Sequence, residues 1–327
     1  MNGIHVNWTK PHFNREKRVN GTFLVNGKRD IRPYKISNYL LLCQILSILF
    51  WKKYNGEIHL YTDREGFNYY QKLGIHKFYD YVNIDLLENY ENVNPEVFWA
   101  AGKLQVQAHL PCPFVMLDMD LFIEMNLNEV NYFNYPVSST HLEDPYEPYY
   151  PSMDKVLFHT NYEFPDIFKW NKRAFNVSLL YWGDDKIKKD YLDIAFEYMD
   201  NSNPKKVDID EYQSRIVFAE QRLLGEYVFS NNIPFTTLIK ESYNPRGVNK
   251  YDEQLWYDCG NGENKDVINE KLLHIWGKKK IFDVNNSERN FIEKYFFDLI
   301  DINFPEYKNQ ITSIFNMNKD KGYYFTN

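Results

Sequence analysis

Two Asp-x-Asp triplets are the first residues in this chain whose types and spacing could do chemistry. Asp118 and Asp120 follow the apolar run 114–117, which is typical of a strand buried on both faces. Side chains two apart in a strand share a face, so both carboxylates would point to the carboxyl end of a sheet, where open α/β folds bind ligands. Adjacent carboxylates repel each other unless a cation lies between them, and oxygen ligands suit Mg²⁺ or Mn²⁺. We therefore predict a metal and diphosphate site here; the alternative is a pair of solvated aspartates at a strand end.

The second triplet, Asp208 and Asp210, has a different setting. It follows Pro204 and two lysines, and it precedes Glu211 and a predicted helix. Acidic residues at a helix N-terminus cap free backbone N–H groups and complement the helix dipole. We predict this structural role for the second triplet and no chemistry.

The elements that must position Asp118 and Asp120 alternate between strands and helices. The apolar spacing predicts strand 3–8, helix 39–51, strand 57–63, helix 67–73, strand 81–84, helix 98–110 and strand 114–117. Such alternation predicts an α/β fold with a mostly parallel sheet. Farther along the chain we predict an irregular loop over 131–171, a strand at 175–182, helices over 186–200 and 210–228, an apolar segment at 272–277 and two helices in the tail.

The composition narrows the possible function classes. A net charge of −7 argues against a protein that mainly binds a nucleic-acid backbone, because such binding needs Lys and Arg. The three cysteines are too widely spaced for a Cys-x-x-Cys metal pair, and their odd number argues against a disulfide framework. The apolar window 39–51 is shorter than the roughly 20 residues of a bilayer span, and the first residues lack a signal-peptide pattern. We expect a cytoplasmic protein whose tail packs on the domain; a peripheral contact of the tail with the inner face of a membrane is the alternative.

Four segments, in order along the chain, resemble glycosyltransferases of the GT-A fold. They are 101–120, which contains Asp118-Met119-Asp120, then Phe175-Asn176-Val177-Ser178, then Glu220-Gln221-Arg222-Leu223-Leu224, and finally His274-Ile275-Trp276-Gly277-Lys278-Lys279-Lys280. The resemblance is greatest to the retaining family-8 group, which includes glycogenin and bacterial lipopolysaccharide galactosyltransferases. It implies a Rossmann-like mixed sheet flanked by helices over 1–285, with a nucleotide-binding half (1–130), an acceptor and sugar half (131–285) and a helical C-terminal extension (286–327).

The resemblance implies a metal site and a diphosphate site. Asp118 and Asp120 would face the ion, with Asp120 the more direct ligand and a catalytic residue, and with Asp118 partly engaged with the ribose. His274 would be the third protein ligand, and an imidazole beside two carboxylates shifts the preference from Mg²⁺ toward Mn²⁺. Lys280, in the same motif as Gly277, would reach the diphosphate.

The resemblance also implies which residues contact the donor sugar. Lys103 would contact the donor nucleotide or its sugar. Asn176 and Ser178, on one face of a predicted strand, would bind sugar hydroxyls. Glu220 and Gln221 would lie beside the anomeric carbon, with Gln221 on the reactive face; an exposed helix face is the alternative for these two.

The loop after the first strand is the natural place for the nucleotide base. Asn7 could hydrogen-bond the base and Trp8 could stack on it, although core packing of Trp8 is equally consistent with the sequence. The chain departs from the family here, because residues 6–11 replace the usual aspartate-containing segment. Ile281-Phe282 likewise replace the Pro-Trp that commonly follows the final lysine. The identities of the base and the sugar therefore stay open.

Taken with the resemblance, these residues predict a metal-dependent hexosyltransferase of the kind used in polysaccharide biosynthesis. It would move a hexose from a nucleotide sugar, with a UDP-hexose as the first candidate, to a saccharide or glycoconjugate acceptor with retention. One alternative is a sugar-1-phosphate nucleotidyltransferase, although residues 7–10 lack the Gly-rich loop that it needs. The other is a non-catalytic carbohydrate- or partner-binding protein. The chain is 18% aromatic, and we predict that Tyr146, Tyr149 and Tyr150 border the acceptor cleft.

Overall fold

The computed structural model describes residues 1–11, 34–95, 97–145, 150–202, 212–239, 271–275, 282 and 285–319. The strands are β1 (Gly3–Asn7), β2 (Ile58–Thr62), β3 (Tyr81–Asn83), β4 (Phe114–Leu117), β5 (Leu121–Ile123), β6 (Val137–Glu143), β7 (Ala174–Trp182), β8 (Phe235–Thr237) and β9 (Leu272–His274). The helices are α1 (Asn38–Tyr54), α2 (Arg64–Leu73), α3 (Asp85–Glu88), α4 (Ala101–His109), α5 (Met153–His159), α6 (Asp185–Asp200), α7 (Tyr212–Val217), α8 (Leu223–Ser230), α9 (Asn286–Asn303) and α10 (Lys308–Lys319). A π-helical turn at Phe218–Arg222 joins α7 to α8.

Seven of these strands form one mixed sheet in the order β3-β2-β1-β4-β7-β6-β8. Strand β1 is parallel to β2 and β4, and β2 is parallel to β3. Strand β7 is antiparallel to both β4 and β6, whereas β6 and β8 are parallel. Apolar clusters on the two faces of the sheet contain residues of α1, α9 and α10 on one side and of α4, α6 and α8 on the other. The predicted α/β class is therefore confirmed, with a mixed sheet in which β7, next to the middle strand β4, runs antiparallel to both of its neighbours.

The central strands are buried on both faces, as their apolar runs predict. In β4, Val115 and Leu117 belong to one apolar cluster, whereas Phe114 and Met116 belong to the other. Alternate side chains of a strand point to opposite faces of the sheet, so a strand between two cores needs apolar residues at every position. The carboxyl end of β4, just before Asp118, is therefore held firmly at the middle of the sheet.

Helix α1 is buried along most of its length, from Asn38 to Trp51. A helix that is apolar on all sides must be covered on all sides. The apolar cluster on its side of the sheet also contains Ile292 and Phe296 of α9 and Ile314 of α10. The tail therefore packs on the domain, as predicted. Within the described ranges, no helix is both long and apolar enough to cross a bilayer.

The prediction of an irregular loop over 131–171 is wrong in two places. Strand β6 pairs with β7 and β8 inside the sheet, and helix α5 follows it. Strand β6 contains buried polar residues where a buried strand usually has apolar ones, so its pattern resembles that of a loop. Several of these groups are hydrogen-bonded, as when Ser138 donates to the carbonyl of Tyr132 at 2.6 Å and Thr140 bonds to Ser178 at 2.7 Å, and this makes their burial possible.

Candidate active site

Asp118, Asp120 and His274 come together at the carboxyl end of β4. The chain leaves β4 at Leu117, passes through both aspartates and enters β5, which pairs antiparallel with β9 so that Leu121 lies opposite His274. The backbone N–H of Ile275 donates to the carbonyl of Asp120 at 3.1 Å and holds the two segments together. Pairing of β5 with β9 therefore brings His274, which lies about 150 residues farther along the chain, beside the two aspartates.

The three side chains offer a donor set for a divalent ion. One ligand atom from each residue lies within 4.8 Å of the other two. Opposite ligands on an ion with bonds of roughly 2.1 Å lie about 4.2 Å apart, so small side-chain movements would let all three bind one ion. Asp120 and His274 are buried, with His274 Nε2 at 3.6 Å from Asp120 Oδ1, and Asp118 is partly exposed. Two carboxylates and an imidazole suit Mn²⁺ as well as Mg²⁺.

Lys103 lies between two carboxylates next to this donor set. Its Nζ forms an ion pair with Asp118, and it lies 3.2 Å from Glu220 Oε1. Burial by itself would lower the pKa of Lys103, but the carboxylates of Asp118 and Glu220 outweigh burial and raise it. Burial raises the pKa of Glu220, although Lys103 opposes this. The structure thus brings Lys103, Asp118 and Glu220 into one charged cluster.

Helix α4 can place Lys103 here because Gly102 allows a close approach to the end of β1. A Cβ on Gly102 would lie only 2.9 Å from the Cβ of Trp8. Trp8 is itself buried, and its ring lies 5.3 Å from that of Tyr90. The structure therefore agrees with core packing of Trp8, and its stacking on a base stays a prediction.

Asn7, the other predicted base contact, is also buried. Its Oδ1 accepts from the Tyr34 hydroxyl at 2.8 Å. Its Nδ2 and the indole N–H of Trp8 have no hydrogen-bond partner among the described residues. A role for either group in binding a base stays a prediction.

Glu220 and Gln221 lie on the π-helical turn between α7 and α8. Such turns hold one extra residue, which redirects side chains, and they are frequent at functional sites. The Tyr191 hydroxyl donates to the carbonyl of Ala219 at 2.8 Å and so stabilises the turn. Glu220 is only 4% exposed, so it does not lie on an exposed helix face.

Asn176 and Ser178 share a face of β7, as their spacing predicts, and bond to each other. The Ser178 hydroxyl donates to Asn176 Oδ1 at 2.6 Å, and Asn176 Nδ2 donates to Glu143 Oε1 at 2.8 Å. The backbone carbonyl of Ser178 accepts from the N–H of Asp118 at 2.8 Å, which places this pair beside the metal ligands. Contact of these two side chains with a sugar stays a prediction.

Glu143 is not among the residues that the sequence pointed to. The contacts of Tyr150 with Glu143 and Gln221 were not predicted either. Glu143, at the end of β6, accepts from the Tyr150 hydroxyl at 2.6 Å. The same hydroxyl lies 2.8 Å from Oε1 of Gln221. The only available signal was the alternation of His141 and Glu143 within a polar segment, which was predicted to be a loop.

His5, at the middle of β1, is a buried titratable residue that the sequence did not point to. Its Nδ1 lies 2.9 Å from the Tyr79 hydroxyl and its Nε2 lies 3.1 Å from the Ser47 hydroxyl. Burial lowers the pKa of His5 to about 3, against an opposing influence of Asp120. His5 is therefore a neutral, hydrogen-bonded core residue at neutral pH.

Several predicted residues lie outside the described residues. They are Gly277 and Lys280 of the final motif, Tyr146 and Tyr149 of the predicted acceptor loop, and the second acidic triplet, Asp208 and Asp210.

Comparisons with known proteins give structural and family relationships. A search among curated proteins finds no match. Similar solved structures include mouse xyloside xylosyltransferase 1 in its apo form, at 9% identity and a TM-score of 0.36, over 77% of this chain and 92% of that chain. They also include galactosyltransferase LgtC in complex with donor and acceptor sugar analogs, at 10% identity and a TM-score of 0.39, over 95% of this chain and 100% of that chain. Both are glycosyltransferases, the class that the sequence resembles, but TM-scores this low say nothing about the activity of this chain.

The family comparison covers most of the sequence. The model of the Family of unknown function (DUF6734) matches residues 26–314, so this chain belongs to that family.

Proposed function

We propose that this protein is a metal-dependent glycosyltransferase that moves a hexose from a nucleotide sugar to a saccharide or glycoconjugate acceptor with retention. A UDP-hexose is the first donor to test. The observation that carries the proposal is the convergence of Asp118, Asp120 and His274 within 4.8 Å, beside the ion pairs of Lys103 with Asp118 and Glu220. The cytoplasmic location, the division into halves 1–130 and 131–285 and the role in polysaccharide synthesis are parts of the proposal that rest on the sequence alone.

The metal ligands and the cation beside them suit a leaving diphosphate. Asp118, Asp120 and His274 would hold Mn²⁺ or Mg²⁺, which when bound neutralises negative charge as a Lewis acid. Lys103 adds a partly buried positive charge next to these ligands, and Lys280 would add another to the diphosphate. Partly buried charges act strongly on each other because little water screens them.

The polar residues around this centre would position the sugar. Asn176 and Ser178 would bind its hydroxyls, and Glu220 and Gln221 would lie beside its anomeric carbon. Asn7 and Trp8, at the end of β1, would contact the base. Gly277, in the same segment as Lys280, would let the backbone approach the diphosphate.

The proposal is tested by ligand binding and donor hydrolysis. Thermal unfolding is measured with Mn²⁺ and a series of UDP-, GDP- and CDP-sugars, because a ligand that binds the folded state raises the unfolding temperature. We expect at least one nucleotide sugar to stabilise the protein in the presence of Mn²⁺ and to be slowly hydrolysed. Asp120→Asn should abolish both effects, whereas Asp193→Asn, an exposed aspartate that pairs with Lys189, should preserve them.

Other outcomes would favour the alternatives or reject the proposal. Binding without hydrolysis or transfer would indicate a non-catalytic carbohydrate-binding protein. Release of pyrophosphate from a nucleoside triphosphate and a sugar 1-phosphate would indicate a nucleotidyltransferase. Failure of every nucleotide sugar to bind with Mn²⁺ would contradict the proposed function.

A further inference from the structure

A polar cluster beside the candidate active site contains the buried residues Glu143 and Tyr150 and the partly buried Gln221. The Tyr150 hydroxyl oxygen lies 2.6 Å from Glu143 Oε2 and 2.8 Å from Gln221 Oε1. Glu143 and Tyr150 are 7% and 6% exposed. Glu143 ends β6, whereas Gln221 lies on the π-helical turn next to Glu220. The cluster therefore connects the sheet to the residue that the proposed function places on the reactive face.

The protonation of Glu143 decides what Tyr150 can do. Asn176 Nδ2 donates to Glu143 Oε1 at 2.8 Å, and His141 Nε2 lies 3.2 Å from the same oxygen. Burial by itself would raise the pKa of Glu143, but the interactions with His141, Tyr150 and Asn176 lower it. Glu143 is therefore a carboxylate at neutral pH, and a carboxylate only accepts hydrogen bonds.

A tyrosine hydroxyl has one proton, so Tyr150 cannot donate to both neighbouring oxygens. The bond to the charged carboxylate of Glu143 is the stronger of the two and takes this proton. The other neighbour of Tyr150 must then be a donor, because two oxygens at 2.8 Å with no proton between them repel each other. The side-chain amide of Gln221 can supply that donor by half a turn about its last torsion, which exchanges its oxygen and nitrogen.

We infer that Gln221 donates its Nε2–H to Tyr150 and directs its carbonyl oxygen to the opposite side of the amide, with Tyr150 and Glu143 as positioning residues for that oxygen. The functional part of this inference rests on the proposed function. As the bond between the anomeric carbon and the donor diphosphate breaks, its electron pair leaves with the diphosphate and positive charge develops on the sugar. A carbonyl oxygen stabilises that charge, whereas an amide N–H₂ group would oppose it.

The orientation is tested by NMR in the ligand-free protein with ¹⁵N-labelled glutamine. Gln221→Met identifies the side-chain resonances of Gln221. We expect nuclear Overhauser contacts between the Nε2 protons of Gln221 and the ring protons of Tyr150 in the wild-type protein. Their absence would overturn the inference, and the contacts themselves are measured in the wild-type protein.

Tyr150→Phe provides a second test. Loss of the hydroxyl should move the Nε2 proton shifts of Gln221 toward those of an amide without this hydrogen bond. Tyr69→Phe is the matched control, because Tyr69 donates to the side-chain amide oxygen of Asn318, in the tail, at 2.9 Å. Unchanged shifts of Gln221 in Tyr150→Phe would show that its amide N–H₂ group does not bond to the Tyr150 hydroxyl and would overturn the inference.

Kinetics separate this inference from the proposed function. Tyr150→Phe should lower kcat for donor hydrolysis about fivefold, the rate equivalent of one ordinary hydrogen bond, and leave KM and Mn²⁺ binding unchanged. A higher KM with an unchanged kcat would contradict the positioning role. If the wild-type protein neither binds nor hydrolyses a donor, the proposed function fails, whereas the NMR contacts still decide the orientation of Gln221.

Discussion

At the scale of single residues, Lys103 and a divalent ion would both bind the carboxylate of Asp118. Lys103 forms an ion pair with Asp118, which is also one of the three candidate metal ligands. It also lies 3.2 Å from Glu220, so two acidic side chains share its charge. Without the lysine these acids would lack their cation, and a bound metal would be the remaining positive charge near Asp118.

The first prediction follows from this shared carboxylate. Lys103→Met should lower the free energy of unfolding in the absence of metal by about 3–5 kcal/mol, the usual cost of removing one partner from a largely buried ion pair. Mn²⁺ should then stabilise the variant more than the wild-type protein. Urea unfolding with and without Mn²⁺ measures both effects.

The control for this prediction is another lysine in an ion pair. Lys186 is exposed and pairs with Asp190 one turn along α6, so Lys186→Met should change little. Equal stabilisation of Lys103→Met and the wild-type protein by Mn²⁺ would show that Lys103 does not compete for Asp118.

At the scale of elements, the π-helical turn and α8 must pack closely on β7. Gly225 in α8 makes this approach possible, because a Cβ there would lie 2.2 Å from the carbonyl oxygen of Arg173. The turn that carries Glu220 and Gln221 continues directly into α8. The small size of Gly225 therefore helps to set the positions of Glu220 and Gln221, two candidate active-site residues.

The second prediction concerns this contact. Gly225→Ala should destabilise the protein by about 1–3 kcal/mol, because the added methyl group displaces α8 from the strand. The sign is informative, since the same change within an exposed helix would stabilise it by about 0.5–1 kcal/mol. Thermal unfolding measures the change, and a gain in stability would contradict the close approach.

At the scale of the whole molecule, the tail helices complete the core on one side of the sheet. Phe296 of α9 is fully buried, and its ring lies 6.1 Å from that of Phe122 in β5. Phe122 in turn stacks on Phe50 of α1 at 5.3 Å. The tail thus supports the short strand that follows Asp120 and pairs with the strand of His274.

The third prediction compares two phenylalanines on the same tail helix. Phe296→Ala should cost about 3–5 kcal/mol of stability, as expected for loss of a buried aromatic ring. Phe291→Ala should change stability by less than about 1 kcal/mol, because Phe291 is 52% exposed. Denaturant unfolding measures both changes, and similar small losses would argue against a tail that is part of the core.

The sequence was sufficient wherever a feature depends on one segment of chain. The two-residue period of a strand placed Asn176 with Ser178, and apolar runs identified β1, β2, β4 and β7 to within a few residues. Asp118 and Asp120 were predicted to share a strand face, but they lie in the turn between β4 and β5, so strand geometry does not bring them together. Strand β6 was missed because it is rich in polar residues, and the partners of some of them are distant in sequence, as in the hydrogen bond of Thr140 with Ser178.

By itself, then, the sequence determined the α/β alternation, the paired aspartates and, through family resemblance, the set of candidate residues. Only the tertiary structure decided that Lys103 pairs with both Asp118 and Glu220, and that Tyr150 lies between Glu143 and Gln221. The physical reason is the separation along the sequence over which each kind of contact forms. Backbone geometry fixes the relation between residues a few positions apart, whereas contacts between residues separated by 70 to 120 positions exist only after strands pair and helices pack on the sheet.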